Sequence, residues 1–277
     1  MIEIDDLIEL ALREDIGDGD ITTTSIITTP LEAVAHLVAK EKLILAGIDM
    51  FHRVYKKLDP GLGLIKHFKD GDEISKGSVI GEIRGQVETI LKGERVALNF
   101  LQRLSGIATL THAFVEKVKA YPVKILDTRK TTPGWRTLEK YAVKMGGGNN
   151  HRLGLYDAVL IKDNHISAAG GIAEAVTRVR ARVPDGFKIE VEAKSLQEVR
   201  EAIDSRVSTI MLDNMSVEMM REAAQMVNGK IVLEASGNIR LDTIEEVART
   251  GVNFISVGAL THSTRAVDIS LDIIRHY

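Results

Sequence analysis

The chain has 277 residues, 44% hydrophobic and 27% charged, with 36 basic against 39 acidic residues for a formal net charge of −3. This balance is ordinary for a globular protein and leaves room for a sizeable core and two domains; it excludes global disorder and a chain-wide polyelectrolyte role such as coating nucleic acid. Zero cysteine excludes disulfides, thiolate metal sites and a cysteine nucleophile, and is compatible with a cytoplasmic location.

Taken from the N-terminus, no basic segment is followed by an apolar one, so no secretory signal is expected. No run of about 18 apolar residues occurs anywhere, so no membrane helix is expected either. Residues 5–14 carry Leu7, Ile8, Leu10, Ala11 and Leu12 and predict an amphipathic helix, with Asp5 and Asp6 at its positive end. Gly17, Asp18, Gly19 and Asp20 then force a turn before a Thr/Ser cluster at 22–25. From 33 to 85 short apolar runs alternate with turn signals at Asp70-Gly71 and Lys76-Gly77, predicting strands at 33–39, 43–46, 64–68 and 78–84 and a helix at 48–58. Residues 71–83 resemble the hammerhead hairpin of biotinyl and lipoyl carrier domains, which raises a carrier module as one reading. A carrier needs a modifiable Lys at a hairpin tip, and the next turn, Arg84-Gly85-Gln86, has none. An apolar-periodic helix at 94–120, with Ser105-Gly106 as a kink point, bridges into a second domain. The expected division is an N-terminal α/β sandwich domain at 1–110 and a second domain at 111–267.

After Tyr121-Pro122, apolar strands recur at 123–126, 157–161, 187–191, 208–212, 231–235 and 253–257, with helical patterns at 195–204, 216–227 and 241–250 between them. Alternating strand and helix argues for a parallel sheet, and near-continuous Val/Ile/Leu strands suit burial on both faces. Six strands predict an incomplete, open α/β barrel rather than a closed eight-stranded one. Function in such folds gathers at the C-terminal strand ends. These ends, with the loop before the second strand, carry Arg129, Lys130, His151, Arg152 and Lys162, then Glu192 and Asp213. The last two strands bring the small-residue turns Ser236-Gly237-Asn238 and Gly258-Ala259, each expected just before a helix, where free N–H groups suit a phosphate. A cationic pocket in a chain of net charge −3 calls for an anionic ligand. Gly146-Gly147-Gly148 lacks the dinucleotide spacing, no P-loop or H-E-x-x-H motif occurs, and no paired spacing makes His151 and His165 a zinc site. The residues thus point to a phosphorylated, carboxylate-bearing small molecule. They leave two enzyme classes open: a Schiff-base aldolase using Lys130 or Lys162, and a phosphoribosyl transfer.

The same residues carry a resemblance. Residues 14–22 (EDIGDGDIT), 93–99 (GERVALN), 104–109 (LSGIAT), 127–134 (DTRKTTPG), 146–152 (GGGNNHR), 160–165 (LIKDNH), 190–192 (EVE), 212–214 (LDN), 234–238 (EASGN) and 256–263 (SVGALTHS) resemble the quinolinate phosphoribosyltransferase family, also called carboxylating nicotinate-nucleotide pyrophosphorylase. The departures are Trp135, where a smaller apolar residue is usual, and Asn253, where Asp is common. The resemblance implies transfer of phosphoribosyl from phosphoribosyl pyrophosphate to quinolinate with decarboxylation, giving nicotinate mononucleotide, pyrophosphate and CO2, with Mg²⁺ as cofactor. It implies a C-terminal helix at 268–277 that packs back on the first domain, and a homodimer or higher oligomer with shared active sites. Arg95 would then reach across from the neighbouring subunit. Arg129, His151 and Arg152 match quinolinate-binding positions, with Thr128 beside them. Lys130 and Lys162 match positions facing substrate carboxylate or pyrophosphate, and with Glu192 and Asp213 they make the catalytic set. Glu192 and Asp213 match ribose-and-metal positions, the Mg²⁺ being held mainly through substrate. Ser236, Gly237, Asn238, Val257, Gly258 and Ala259 match the 5′-phosphate site. The nearest alternative is a same-fold paralogue acting on another base, such as the pyrophosphorylase-like protein linked to molybdenum transport.

Overall fold

The computed structural model describes residues 3–184 and 186–276. In chain order the elements are α1 (Ile4–Ile16), α2 (Ile21–Ile26), β1 (Glu32–Ala39), β2 (Leu43–Ile44), α3 (Ile48–Leu58), β3 (Gly63–Lys66), β4 (Glu73–Ile74), β5 (Val79–Gln86) and α4 (Val87–Val118). There follow β6 (Lys124–Leu126), α5 (Arg136–Met145), β7 (Val159–Ile161), α6 (Asp163–Ala169), α7 (Ile172–Arg180), β8 (Ile189–Ala193), α8 (Leu196–Asp204), β9 (Thr209–Asp213), α9 (Val217–Val227), β10 (Val232–Ser236), α10 (Ile244–Ala248), β11 (Phe254–Ser256), α11 (Ala259–His262) and β12 (Ile269–His276). They fall into two compact units. One gathers the chain up to His112, the excursion Thr132–Gly147 and the chain from Thr264 on; the other holds Ala113–Thr131 and Gly148–Ser263.

The first unit is built on an antiparallel sheet of order β12-β1-β5-β3, with β2 and β4 paired separately. The Thr/Ser cluster after Asp20 is helical rather than a loop, because the Asp20 carboxylate accepts the Thr23 N–H at 2.9 Å and caps α2. The turn residue Asp70 does similar work for α3, accepting the N–H groups of Gly47 at 2.8 Å and Ile48 at 3.1 Å. The carrier-like segment forms no hairpin: β4 pairs with β2, while β5 pairs with β1 and β3. Arg84-Gly85-Gln86, expected as a turn, lies inside β5. Trp135 stacks on Phe100 with ring centroids 4.6 Å apart, which accounts for a large ring at that position.

The expected C-terminal helix at 268–277 is corrected by the structure. Ile269–His276 is a strand, antiparallel to β1 from Ala39↔Ile269 to Ala33↔His276; Tyr277 lies outside the described residues. The physical reason is legible in the residues. Ile269 and Leu271 are buried, while Ser270 between them is half-buried and Asp272 after them is exposed, a period of two rather than 3.6. The pairing also satisfies the N–H and C=O groups of β1 that β5 leaves open.

The second unit holds a six-stranded parallel sheet of order β6-β11-β10-β9-β8-β7. First strand pairs with last, and the cyclic order is cut only between β6 and β7, so this is an α/β barrel opened at one seam. Each strand starts one or two residues later than expected, and β8 and β9 also end later, which places Glu192 and Asp213 inside them. The free edge of β6 is covered by an isolated parallel bridge from Leu126 to Asn149. There Asn149 donates to Ile125 O at 2.8 Å and Asp127 donates to Asn149 O at 3.1 Å. Asn253 keeps the acceptor that Asp would supply: its carboxamide oxygen accepts the Leu233 N–H at 2.9 Å.

The helix α4 starts seven residues earlier than expected and runs on through Ser105 and Gly106. Gly106 serves close approach: a Cβ there would lie 2.1 Å from the carbonyl oxygen of Arg265. Gly→Ala inside a helix ordinarily stabilises by about 0.5–1 kcal/mol. Here Gly106→Ala is expected to destabilise by about 1–3 kcal/mol, as overpacking does, read as a lower urea midpoint with unchanged slope.

Candidate active site

All six strands of the second unit run the same way, so their C-terminal ends share one rim. A cleft of about 580 Å³ opens there. Thr128, Arg129, Lys130, His151, Arg152, Lys162, Glu192, Asp213, Ser236, Gly237, Asn238, Gly258 and Ala259 all line it. Two expected residues do not. Val257 is buried, its N–H donating to Leu126 O at 2.9 Å and tying β11 to β6. Arg95 is an exposed residue of α4, in the first unit.

The loop after β6 is fixed from two sides. Thr128 Oγ1 accepts the Lys130 N–H at 3.0 Å, and Thr261 Oγ1 donates to Lys130 O at 2.8 Å. The segment that covers β6 carries His151 and Arg152. The Asp127 carboxylate, fully buried, accepts the His151 N–H at 2.9 Å and the Asn150 amide at 2.5 Å. Arg152 Nη1 donates to Ala158 O at 3.1 Å, and burial together with the charge of Arg129 pulls its pKa down. A guanidinium in that position favours an anion as partner. Across the cleft Lys162 Nζ lies 3.5 Å from Glu192 Oε2. Burial raises the Glu192 pKa, Lys162 opposes the rise and the neighbouring Asp213 adds to it.

The two small-residue turns differ from each other. Gly258 opens the one-turn helix α11 directly, whereas Ser236-Gly237-Asn238 is followed by further turn residues, with α10 beginning only at Ile244. Gly237 has φ +95°, and a Cβ there would lie 2.2 Å from Asn214 Oδ1. Asn238 and Asn214 also take positive φ, and their side chains bond to each other at 3.1 Å. Nothing but glycine fits between them.

Asp127, Glu234, Ser256, Arg240 and His262 also line the cleft and were not expected as site residues. Glu190 approaches from below, with its Oε2 3.1 Å from His151 Nε2; Glu234 Oε2 is 3.4 Å from the same nitrogen. The signal that finds both carboxylates is the period of two along a strand: Glu190 precedes Glu192 by two, and Glu234 precedes Ser236 by two. These residues face the same way one layer deeper. Burial alone would lower the His151 pKa, but hydrogen bonds to Glu190 and Glu234 outweigh it and push it up. The Arg152 N–H, 2.7 Å from Nδ1, resists a second proton on the ring because it needs the Nδ1 lone pair. The ligand atoms of His151, Glu190 and Glu234 lie within 4.8 Å of one another, close enough for a metal. An Nδ1 that accepts leaves the proton on Nε2, however, and an N–H is no metal ligand.

The sequence matches the quinolinate phosphoribosyl transferase N-terminal domain family over residues 20–105 and the C-terminal domain family over 107–272. It is 46% identical to quinolinate phosphoribosyltransferase [decarboxylating] 1 of Nicotiana glauca, over 96% of this chain and 81% of that protein. It is 45% identical to the chloroplastic nicotinate-nucleotide pyrophosphorylase [carboxylating] of Arabidopsis thaliana, over 96% of this chain and 82% of that one. The crystal structure of NadC from Streptococcus pyogenes superposes with a TM-score of 0.94 at 43% identity, covering 98% of this chain and 97% of that one. With both domain families matched in order and near-complete relatives well above 40% identity, the chain belongs to the quinolinate phosphoribosyltransferase family.

Proposed function

We propose that this chain transfers phosphoribosyl from phosphoribosyl pyrophosphate to quinolinate with loss of CO2, giving nicotinate mononucleotide and pyrophosphate. The observation that carries this reading is one cleft lined by Arg129, Lys130, Arg152 and Lys162 together with Glu192 and Asp213 and by the Gly237 and Gly258 turns. Arg129 and Arg152 bind the two carboxylates of quinolinate. Lys130 and Lys162 take up charge on the departing pyrophosphate, and the turns at 236–238 and 258–259 hold the 5′-phosphate. Departure makes ribose C1 cation-like, and the carboxylates of Glu192 and Asp213 favour that charge. Their oxygens suit a hard cation that keeps most of its ligands from substrate. Mg²⁺ held there supplies positive charge to the pyrophosphate oxygens. Decarboxylation at C2 leaves its electron pair beside a ring nitrogen that has become cationic, a proton from water then takes the place of the lost carboxylate, and the protein's task there is to bind and orient.

The active unit in this reading is a homodimer with shared sites. Arg95 is exposed on α4 and absent from the lining of the cleft, which supports a role at a partner's site. Leu155 and Tyr156, 73% and 72% exposed on the loop after Arg152, are apolar surface that a second copy would cover. No helix among the described residues is long and apolar enough to cross a membrane. The cysteine-free composition supports a cytoplasmic location.

Incubation of the purified protein with quinolinate, phosphoribosyl pyrophosphate and Mg²⁺ is expected to release CO2 and nicotinate mononucleotide in equal amounts. Nicotinate in place of quinolinate should lower kcat/KM by on the order of 10⁴-fold, because a site built to bond two carboxylates forfeits the charge-assisted contacts of one. Comparable values for the two acids would contradict the assignment.

Lys130→Ala and Lys162→Ala are each expected to abolish turnover while keeping the wild-type melting curve, since rim residues serve the ligand rather than the core. Borohydride should trap no adduct with either substrate. An adduct at either lysine, read by mass spectrometry, would restore the Schiff-base alternative.

Arg95→Ala and Lys130→Ala are each expected to be nearly inactive alone. After subunit exchange about half the dimers are mixed, and each mixed dimer has one intact site of two. Roughly a quarter of wild-type activity should then return. Absence of recovery after verified exchange would place Arg95 outside a shared site.

A further inference from the structure

Beneath the quinolinate-facing cations lie two carboxylates that the proposed chemistry does not use. Glu234 is 2% exposed, and the Ser256 hydroxyl donates to its Oε1. The Glu234 Oε2 and Glu190 Oε2 both face His151 Nε2, at 3.4 and 3.1 Å. The opposite ring nitrogen, Nδ1, accepts the backbone N–H of Arg152 at 2.7 Å. The His151 N–H is taken by Asp127 at 2.9 Å. His151 is therefore bound through its backbone and through both ring nitrogens, each time by the protein.

Two carboxylates buried around a single imidazole are unfavourable on grounds of stability, and apolar residues of similar size would serve a core as well or better. Being carboxylates, they do not attract a dianionic acid. What they do accomplish is orientation. Accepting the Nε2–H selects one tautomer, and that tautomer leaves Nδ1 as the acceptor that fixes the Arg152 backbone.

We infer that Glu234 and Glu190 are positioning residues for the quinolinate pocket, acting through the His151 ring on the placement of Arg152. The chain of contacts runs from the Ser256 hydroxyl to Glu234, to His151 Nε2, and from His151 Nδ1 to the Arg152 N–H. It crosses from β11 through β10 to the segment that covers the open edge of β6. This inference rests on the reading of the cleft as a quinolinate site.

The test is steady-state kinetics on the full chain for wild type, Glu234→Gln, Glu190→Gln and Ser256→Ala, varying quinolinate and phosphoribosyl pyrophosphate separately. Loss of one charge-assisted hydrogen bond should raise the KM for quinolinate by on the order of tenfold in either Gln variant, and less in Ser256→Ala. The kcat, the KM for phosphoribosyl pyrophosphate and the melting temperature should stay near wild type. Glu234→Gln added to Arg152→Lys should raise the KM for quinolinate little further, because both changes act on one contact chain. If Glu234→Gln does not fold, Glu190→Gln and Ser256→Ala carry the same expectation.

A fall in kcat with unchanged KM, equal rises for both substrates, or multiplicative effects in the double variant would overturn the inference. Wild-type turnover of quinolinate with indifferent variants overturns it alone. Absence of wild-type turnover overturns the functional reading, and this inference with it.

Discussion

The site depends on how one open strand edge is satisfied. A six-stranded parallel sheet whose first strand pairs with its last has a single seam, between β6 and β7. The N–H and C=O groups of β6 that face this seam need partners, as buried backbone groups do. The Asn149 backbone provides them, bonding on either side of Leu126. That local requirement brings Asp127, His151 and Arg152 to the same end of the sheet as Lys162, Glu192 and Asp213. A closed barrel would have had no place for such a segment.

Around that seam the charges are layered. The cations share the cleft with Glu192 and Asp213, while two further carboxylates, Asp127 and Glu234, are fully or almost fully buried. Each buried carboxylate has donors aimed at it: Asn150 and the His151 N–H for Asp127, Ser256 and His151 for Glu234. In the proposed reading, these contacts hold the donors that would meet a substrate anion before it arrives. Gly237 contributes in another way, since its positive φ and the adjacent Asn214 side chain leave no space for a Cβ and keep the backbone open to a ligand.

Much of this was legible in the residues. The six parallel strands, α3 at its predicted bounds and the helices at 196–204 and 217–227 follow from local periodicity, because burial on one face imprints a period that a window of ten residues contains. The polar strand ends were legible for the same reason: once a strand is recognised, its end is known. Where distant residues decide the outcome, local reading failed. Residues 71–83 resemble a hairpin, yet β5 pairs with β1 and β3, strands more distant in sequence than β4. The last segment alternates apolar and polar residues as a strand does, and is one because β1 had an edge to cover.

Local sequence suffices for the alternation of strand and helix, the cationic and acidic residues at successive strand ends, and the two motifs of small residues on the last strands. These are properties of short stretches, set by side-chain period and turn chemistry. Long-range pairing alone sets the meeting of Glu190 and Glu234, on strands separated by β9, at one imidazole, and the place of His151 and Arg152 on the segment that covers the edge of β6. A pairing between strands is chosen by the free energy of the whole sheet, and no window of sequence contains it.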